Sequence, residues 1–319
     1  MINHATAIGA DIGHDSIHVA VVRMNGKIIK KSAIKLNKKK SKEYLVDTLI
    51  DSLKTIRLKA ASEGINPICI GIAAKGFIDH KAGVIIGPDH GIIGWNNVAL
   101  ARLVSTGTGL PSYVGNDANM MTIAEHHFGI AKGLHDIVFI ALRTGIGGGL
   151  IINGKLYRGV NNAGGEIGQM IINYDDGLSN LGIRGSFEHL ASASAVVRRF
   201  HEETTHEKTH AKNISCREIF ELSYEGYPPA IKVINENAEI VGIGLANLIS
   251  IFAPEMIVLG GGMSQARDSY ISAILKSAFG NSLENCRSEV KVERALLGSD
   301  ASLLGSAYYA LTRLAGKNI

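Results

Sequence analysis

The stretch Asp136–Gly159, DIVFIALRTGIGGGLIINGKLYRG, runs from an apolar strand through a glycine-rich turn into a second strand, then through the hairpin signal Asn153-Gly154-Lys155 into a third. The same order stands near the start of the chain: AIGADIG, a short turn, IHVAVVRM, then Asn25-Gly26-Lys27 and KIIKKSAIKL. Residues 6–30 and 137–157 therefore read as antiparallel meanders of two related halves. After the first meander, Leu45, Leu49, Ile50, Leu53, Ile56 and Ala60 follow helical spacing across Glu43 to Ser62, and PICIGIAAKG from Pro67 reads as a buried strand ending in a glycine turn. Beyond the second, Pro229 to Phe252 reads as a long apolar helix, EMIVLGGGMS as a strand running into three glycines, and ASLLGSAYYALTRLA as a closing helix.

At 319 residues the chain is about twice the usual domain size, which predicts two domains. Apolar residues at 46% and charged residues at 19% describe a globular protein, and 37 glycines against 6 prolines point to tight turns rather than disorder. A formal charge of +4 with one basic run, Lys38 to Lys40, and no aromatic or helical reading motif beside it gives no indication of nucleic-acid binding. Cys69, Cys216 and Cys286 are far apart and odd in number, which fits a reducing cytoplasm. The start MINHATAIGADIG lacks the pattern of a signal peptide, and Ile240 to Leu259 is interrupted by Asn247, Ser250, Pro254 and Glu255, so no membrane span is expected.

Glycine turns in related halves can offer backbone N–H groups to the phosphates of one nucleotide, because oriented amides stabilise anions without burying a cation. Thr144-Gly145-Ile146-Gly147-Gly148-Gly149 suits that task, with a hydroxyl on Thr144, and its counterpart is Asp11-Ile12-Gly13-His14-Asp15-Ser16. Gly260, Gly261 and Gly262 end a buried strand, a place where the adenosine part could lie. Each turn is equally readable as a tight strand connection. In VGNDAN, Asn116 can bind a substrate hydroxyl while Asp117 accepts its proton; the competing reading is an Asx turn with Asp117 or Asn119 as a helix cap. Glu166 and Glu188 could grip vicinal hydroxyls of a sugar through charged hydrogen bonds. The histidines His201, His206, His210 and the adjacent His126-His127 lack the spacing of a zinc helix, and no metal is assigned to them.

Taken together, DIG, GNDANMMTIAEHHFG, ALRTGIGGGLIINGKLYRG, GGEIGQM, RGSFEHLAS, IVLGGGMS and LLGSDASLLGSAYYAL resemble, in order and separation, the repressor, open-reading-frame and kinase family of sugar kinases within the actin-like ATPase superfamily. The resemblance implies an α/β fold of two actin-like, ribonuclease H-like domains, mixed sheets flanked by helices with a cleft between them. The boundaries would be 1–115, with the closing helix of about 304–319 packing on it, and 116–303. It implies magnesium-ATP and a hexose or amino sugar as ligands, a homodimer and a cytoplasmic location. Asp117 looks like the base that takes the proton of the sugar's 6-hydroxyl. Gly76, Asp89, Asn116, Glu166, Gln169 and Glu188 look like sugar contacts. Asp11 looks like the carboxylate near magnesium, with Gly13, His14, Asp15, Ser16, Thr144, Gly145, Gly147 and Gly260 to Gly262 around the nucleotide.

The departures are specific. Where many members carry a cysteine-rich zinc loop, this chain has Ser179, Leu181 and Ser186, and Gln169 replaces the remaining histidine, so no structural zinc is expected. In the first turn His14 replaces a glycine and Asp15 the usual threonine. Asp15 would repel a phosphate unless magnesium or protonated His14 offset it, and Ser16 is the candidate replacement hydroxyl. A non-catalytic sugar sensor is the competing functional class; the family's repressors carry an N-terminal helix-turn-helix, for which this sequence shows no segment.

Overall fold

The computed structural model describes residues 5–37, 40–87, 92–178, 182–205 and 213–317. The chain forms two compact units: Met1–Gly133 with Lys155–Gly164 and Leu296–Ile319, and Leu134–Gly154 with Gly165–Ala295. Asp89, Ser179, Leu181, His206 and His210 lie outside the described residues.

In the first unit the opening meander is β1 (Thr6–Ile12), β2 (Ser16–Arg23) and β3 (Ile28–Lys35). The short strand β4 (Lys40–Ser41) leads into helix α1 (Lys42–Ala61), whose N-cap Ser41 accepts the Tyr44 N–H at 3.3 Å. Next come β5 (Ile70–Ala74), the short strands β6 (Ile78–Asp79), β7 (Val84–Ile85) and β8 (Ile92–Ile93), helix α2 (Leu100–Thr108), β9 (Ser112–Asn116) and helix α3 (Asp117–His127). The main sheet has the order β3-β2-β1-β5-β9, antiparallel through the meander and parallel from β1 to β9.

The second half repeats this plan. Strands β10 (Ile137–Leu142), β11 (Ile146–Ile152) and β12 (Lys155–Tyr157) form its meander. Helices α4 (Phe187–Ala191), α5 (Ala193–Glu203), α6 (Cys216–Tyr224) and α7 (Pro228–Phe252) precede β13 (Met256–Gly260). Helices α8 (Asp268–Gly280) and α9 (Glu284–Arg287) then lead to β14 (Lys291–Arg294). The sheet order is β12-β11-β10-β13-β14, with β13 parallel to both neighbours. Its core joins Val138, Ile140 and Leu142 of β10 to Leu245 and Ile249 of α7 and Ile274 of α8. Asn237, buried within α7, donates to the Ala191 carbonyl at 3.0 Å and accepts the Tyr270 hydroxyl at 2.5 Å, so this buried amide is satisfied. No helix among the described residues is long and apolar enough to cross a membrane.

The last helix, α10 (Ala301–Leu314), returns to the first unit. One face of that unit's sheet buries Ile8, Ala10, Ile70, Ile72 and Val114 together with Leu45, Leu49 and Leu53 of α1. On the other face glycines admit the backbone of α10. A Cβ on Gly9 would stand 2.1 Å from the Leu303 carbonyl oxygen, and one on Gly71 would stand 1.8 Å from that of Ser306. Gly305 of α10 is as tight against α3, where a Cβ would lie 1.8 Å from the Met120 carbonyl oxygen. Backbone oxygens cannot rotate away as side chains do, so a methyl here must push whole elements apart.

Gly71→Ala and Gly305→Ala should therefore each cost about 3 kcal/mol or more, the upper range for overpacking. Gly280→Ala, where a Cβ meets no atom within 4 Å, serves as the control and should change stability little. Urea denaturation of the three variants distinguishes them, and equal midpoints would contradict the close-approach account.

Candidate functional site

Within the first unit, the chemistry-bearing residues gather where β1, β5 and β9 end. The turn after β1 is closed by the Gly13 N–H donating to the Ser16 carbonyl at 2.9 Å. At its tip, His14 Nδ1 and Asp15 Oδ1 are 2.8 Å apart, with both side chains about three-quarters exposed (75% and 78%). Ser16, the candidate replacement hydroxyl, is engaged: its Oγ lies 2.8 Å from His18 Nε2. Asp11 pairs in register with His18 of β2 and Ala73 of β5.

Asn116 connects two of these strand ends. It is the N-cap of α3, its Oδ1 accepting the Asn119 N–H at 3.1 Å, and its Nδ2 donates to the Gly76 carbonyl at 3.3 Å. Gly76 has φ of +95°, a conformation that disfavours any side chain, and this turns its carbonyl-bearing loop at the end of β5. The cap is thus Asn116 itself, and Asp117 occupies the first turn, where its Oδ1 accepts the Ala118 N–H at 3.0 Å and the helix N-terminus favours negative charge.

Two features of this unit escaped the sequence reading. Glu125, fully buried on α3, accepts N–H groups from Ile130 at 3.1 Å, Leu296 at 3.2 Å and Leu297 at 2.8 Å, fixing the far end of the helix that begins with Asp117. Only its place among apolar residues in MMTIAEHHFG could have signalled it. Beside Asn116, a small pocket is lined by Ile78, His80, Asn119, Arg158 and Tyr309, with the Arg158 guanidinium 5.6 Å from the Tyr309 ring centre. Burial, and then the nearby Arg158 charge, push the His80 pKa down.

In the second unit the Thr144–Gly149 turn joins β10 to β11, with Leu142 opposite Ile146. Glu188, in the first turn of α4, lies against it: its Oε2 accepts the Ile146 N–H at 2.9 Å and would be 2.3 Å from a Cβ on Gly145. The segment bearing Glu166 and Gln169 packs on the same strand, since a Cβ on Gly168 would be 2.1 Å from the Ile146 carbonyl oxygen. Glu166 is exposed, whereas Gln169 Oε1 is buried without a hydrogen-bond partner among the described residues. Ser186 caps α4 by accepting the His189 N–H at 3.3 Å. The loop before it is closed by backbone bonds, from Ile172 N–H to the Gly185 carbonyl at 2.8 Å and from Phe187 N–H to that of Met170 at 2.7 Å. At the end of β13, Gly260 is packed on Phe139 and Gly261 has φ of +89°, while a Cβ on Gly262 would meet open space.

The ROK family model matches residues 7–313. A glucokinase of Halalkalibacterium halodurans is 30% identical over 94% of this chain and 93% of its own length. A xylose repressor of Caldicellulosiruptor bescii is 29% identical over 93% of the chain and 76% of its own length. A crystal structure of a ROK family glucokinase from Streptomyces griseus, in complex with glucose and AMPPNP, matches at a TM-score of 0.82 and 31% identity, covering 96% of this chain and 99% of the other.

Glu125→Ala would strand several amides that now share one carboxylate, and should lower stability by roughly 3 kcal/mol, measurable by calorimetry. His127, whose ring centre lies 4.2 Å from that of Tyr308, has its pKa lowered by burial, and then by His126, from the usual 6.5 to about 4. A depressed histidine pKa contributes stability that is complete above about 6.5 and declines as pH falls towards 4. The unfolding midpoint of His127→Gln should accordingly depend less on pH across that window than that of the unsubstituted protein.

Proposed function

Because the chain belongs to the ROK family, whose model spans residues 7–313, we propose that it is an ATP-dependent sugar kinase acting on the 6-hydroxyl of a hexose or amino sugar. The observation that carries this reading is the Asn116–Asp117 corner: Asn116 is fixed by its cap bond and by Gly76, so the carboxylate of Asp117 is held at a helix N-terminus beside the Gly76 turn. Catalysis of phosphoryl transfer rests on alignment and charge neutralisation, with one base to receive the hydroxyl proton.

In this reading Asp117 accepts the proton as the O–H bond of the sugar breaks and its oxygen forms the new P–O bond, while the bond from phosphorus to the ADP oxygen breaks. ATP with magnesium supplies the electrophilic γ-phosphoryl group. Thr144, Gly145, Gly147, Gly13, His14 and Ser16 are the proposed phosphate contacts, with Asp11 on the magnesium side and Asp15 paired to His14. Gly262, with open space where a side chain would stand, suits the adenosine part. Gly76, Asn116, Glu166, Gln169 and Glu188 would orient the sugar, and the unpartnered Gln169 Oε1 is the acceptor that a sugar hydroxyl would satisfy. Asp89 is proposed as a further contact. A homodimer in the cytoplasm completes the proposal.

The first turn favours a second reading, a sugar-binding regulatory protein without turnover. Asp15 brings a carboxylate into the phosphate turn and the Ser16 hydroxyl is engaged with His18, both of which would weaken phosphate binding.

A coupled ADP-release assay over a panel of hexoses and N-acetylated amino sugars separates the two. Sugar-dependent turnover that falls about 10³-fold in Asp117→Ala is the expected result. Sugar binding by calorimetry with no ADP release would replace the kinase by the sensor.

A further inference from the structure

One charged residue at this end of the first sheet has no role in the scheme above. Lys75 directly follows β5, which lies between β1 and β9. Ala73 is level with Asp11 on one side and Gly115 on the other, and Ala74 is level with Asn116. The next residue along, Lys75, therefore emerges between the strand that carries Asp11 and the one that delivers Asp117. It also adjoins Gly76, whose carbonyl holds Asn116.

Lys75 is half-buried and makes no hydrogen bond or ion pair with any described residue. Some other cations of the chain are engaged within it: Lys31 pairs with Asp300, Lys232 with Glu203 at 2.7 Å and Arg294 with Asp268 at 2.9 Å, while Arg158 lies over Tyr309. A partly desolvated ammonium gains most from an anion in the same low-dielectric surroundings. Asp11 in register, Asp15 in the adjoining turn and Asp117 at the end of β9 are the acidic groups of this strand end, so a phosphoryl group transferred there gains from a cation beside it.

We propose that Lys75 is a further catalytic residue, its ammonium donating hydrogen bonds to the oxygens of the transferring phosphoryl group. The inference rests on the kinase reading. Lys75 exchanges no proton; Asp117 takes the hydroxyl proton and ADP carries away the electron pair of the broken P–O bond. Contacts of this kind strengthen as charge shifts onto the transferring group, so they act on kcat more than on sugar affinity.

The test uses Lys75→Met and Lys75→Arg in the full chain, each with melting temperature, sugar affinity by calorimetry and steady-state kinetics on whichever sugar the unsubstituted protein phosphorylates. Lys75→Met should lower kcat about 10²- to 10³-fold, the scale of losing one transition-state donor, with sugar Kd changed by less than about threefold. Lys75→Arg, which keeps the charge, should recover part of the loss. A Lys75→Met protein with kcat near that of the unsubstituted chain, or with unchanged kcat and a large loss of sugar affinity, overturns the assignment while leaving the kinase standing. Absence of sugar-dependent turnover in the unsubstituted protein overturns both.

Discussion

Backbone against backbone, with no side chain between, is the contact on which the first unit depends. Gly9 and Gly71 let α10 settle on the centre of the sheet, and Gly305 lets α3 settle on α10. Helices normally stand off a sheet by the thickness of their side chains. Removing that thickness at successive contacts fixes α3 relative to β1 and β5 with little freedom to slide, because each glycine faces a carbonyl oxygen rather than a compressible side chain. The direction in which Asp117 leaves β9 follows from this stack.

Polar bonds then set both ends of α3. At its start, the Asn116 side chain satisfies a helix N–H and reaches the carbonyl of Gly76, so a cap bond doubles as a tie between strand ends. At its finish, the Glu125 carboxylate collects amides from the segments around Ile130 and Leu297. A buried carboxylate is costly unless its lone pairs are used, and here backbone amides use them. The second unit applies the same economy at Glu188, whose oxygen supports the glycine turn through the Ile146 N–H.

Much of the fold could be read from residue patterns because each pattern reports a local preference. Period-two runs with Asn-Gly-Lys turns located both meanders, and helical spacing placed α1 within a residue of its observed Lys42–Ala61 span. The short strands β4 and β6 to β8, of two residues each, carry no period that a sequence could show. Glycine was the most ambiguous letter. A glycine that spares a helix, such as Gly71, and one that opens space for a ligand, such as Gly262, are identical in sequence; what differs is the distance to an atom hundreds of residues away. At the candidate site, VGNDAN announced a helix start, but which residue caps it depends on φ/ψ at Asn116. Glu125 and Lys75 were invisible for a related reason: a single charge in an apolar or glycine-bounded stretch has meaning only once its burial and neighbours are known.

The placement of α10 also sets an order of events during synthesis. The sheet of the first unit is encoded before residue 117, yet the helix that covers its Gly9–Gly71 face spans Ala301–Leu314. Until those last residues emerge from the ribosome, that face has no partner, and the intervening second unit, whose segments lie between Leu134 and Ala295, can complete its own core first. Closure of the first unit is then a late, long-range step that carries a large loop-closure entropy. Premature termination before α10 would leave an apolar sheet face open to association, making the C-terminal helix as much a guard against aggregation as a part of the native scaffold.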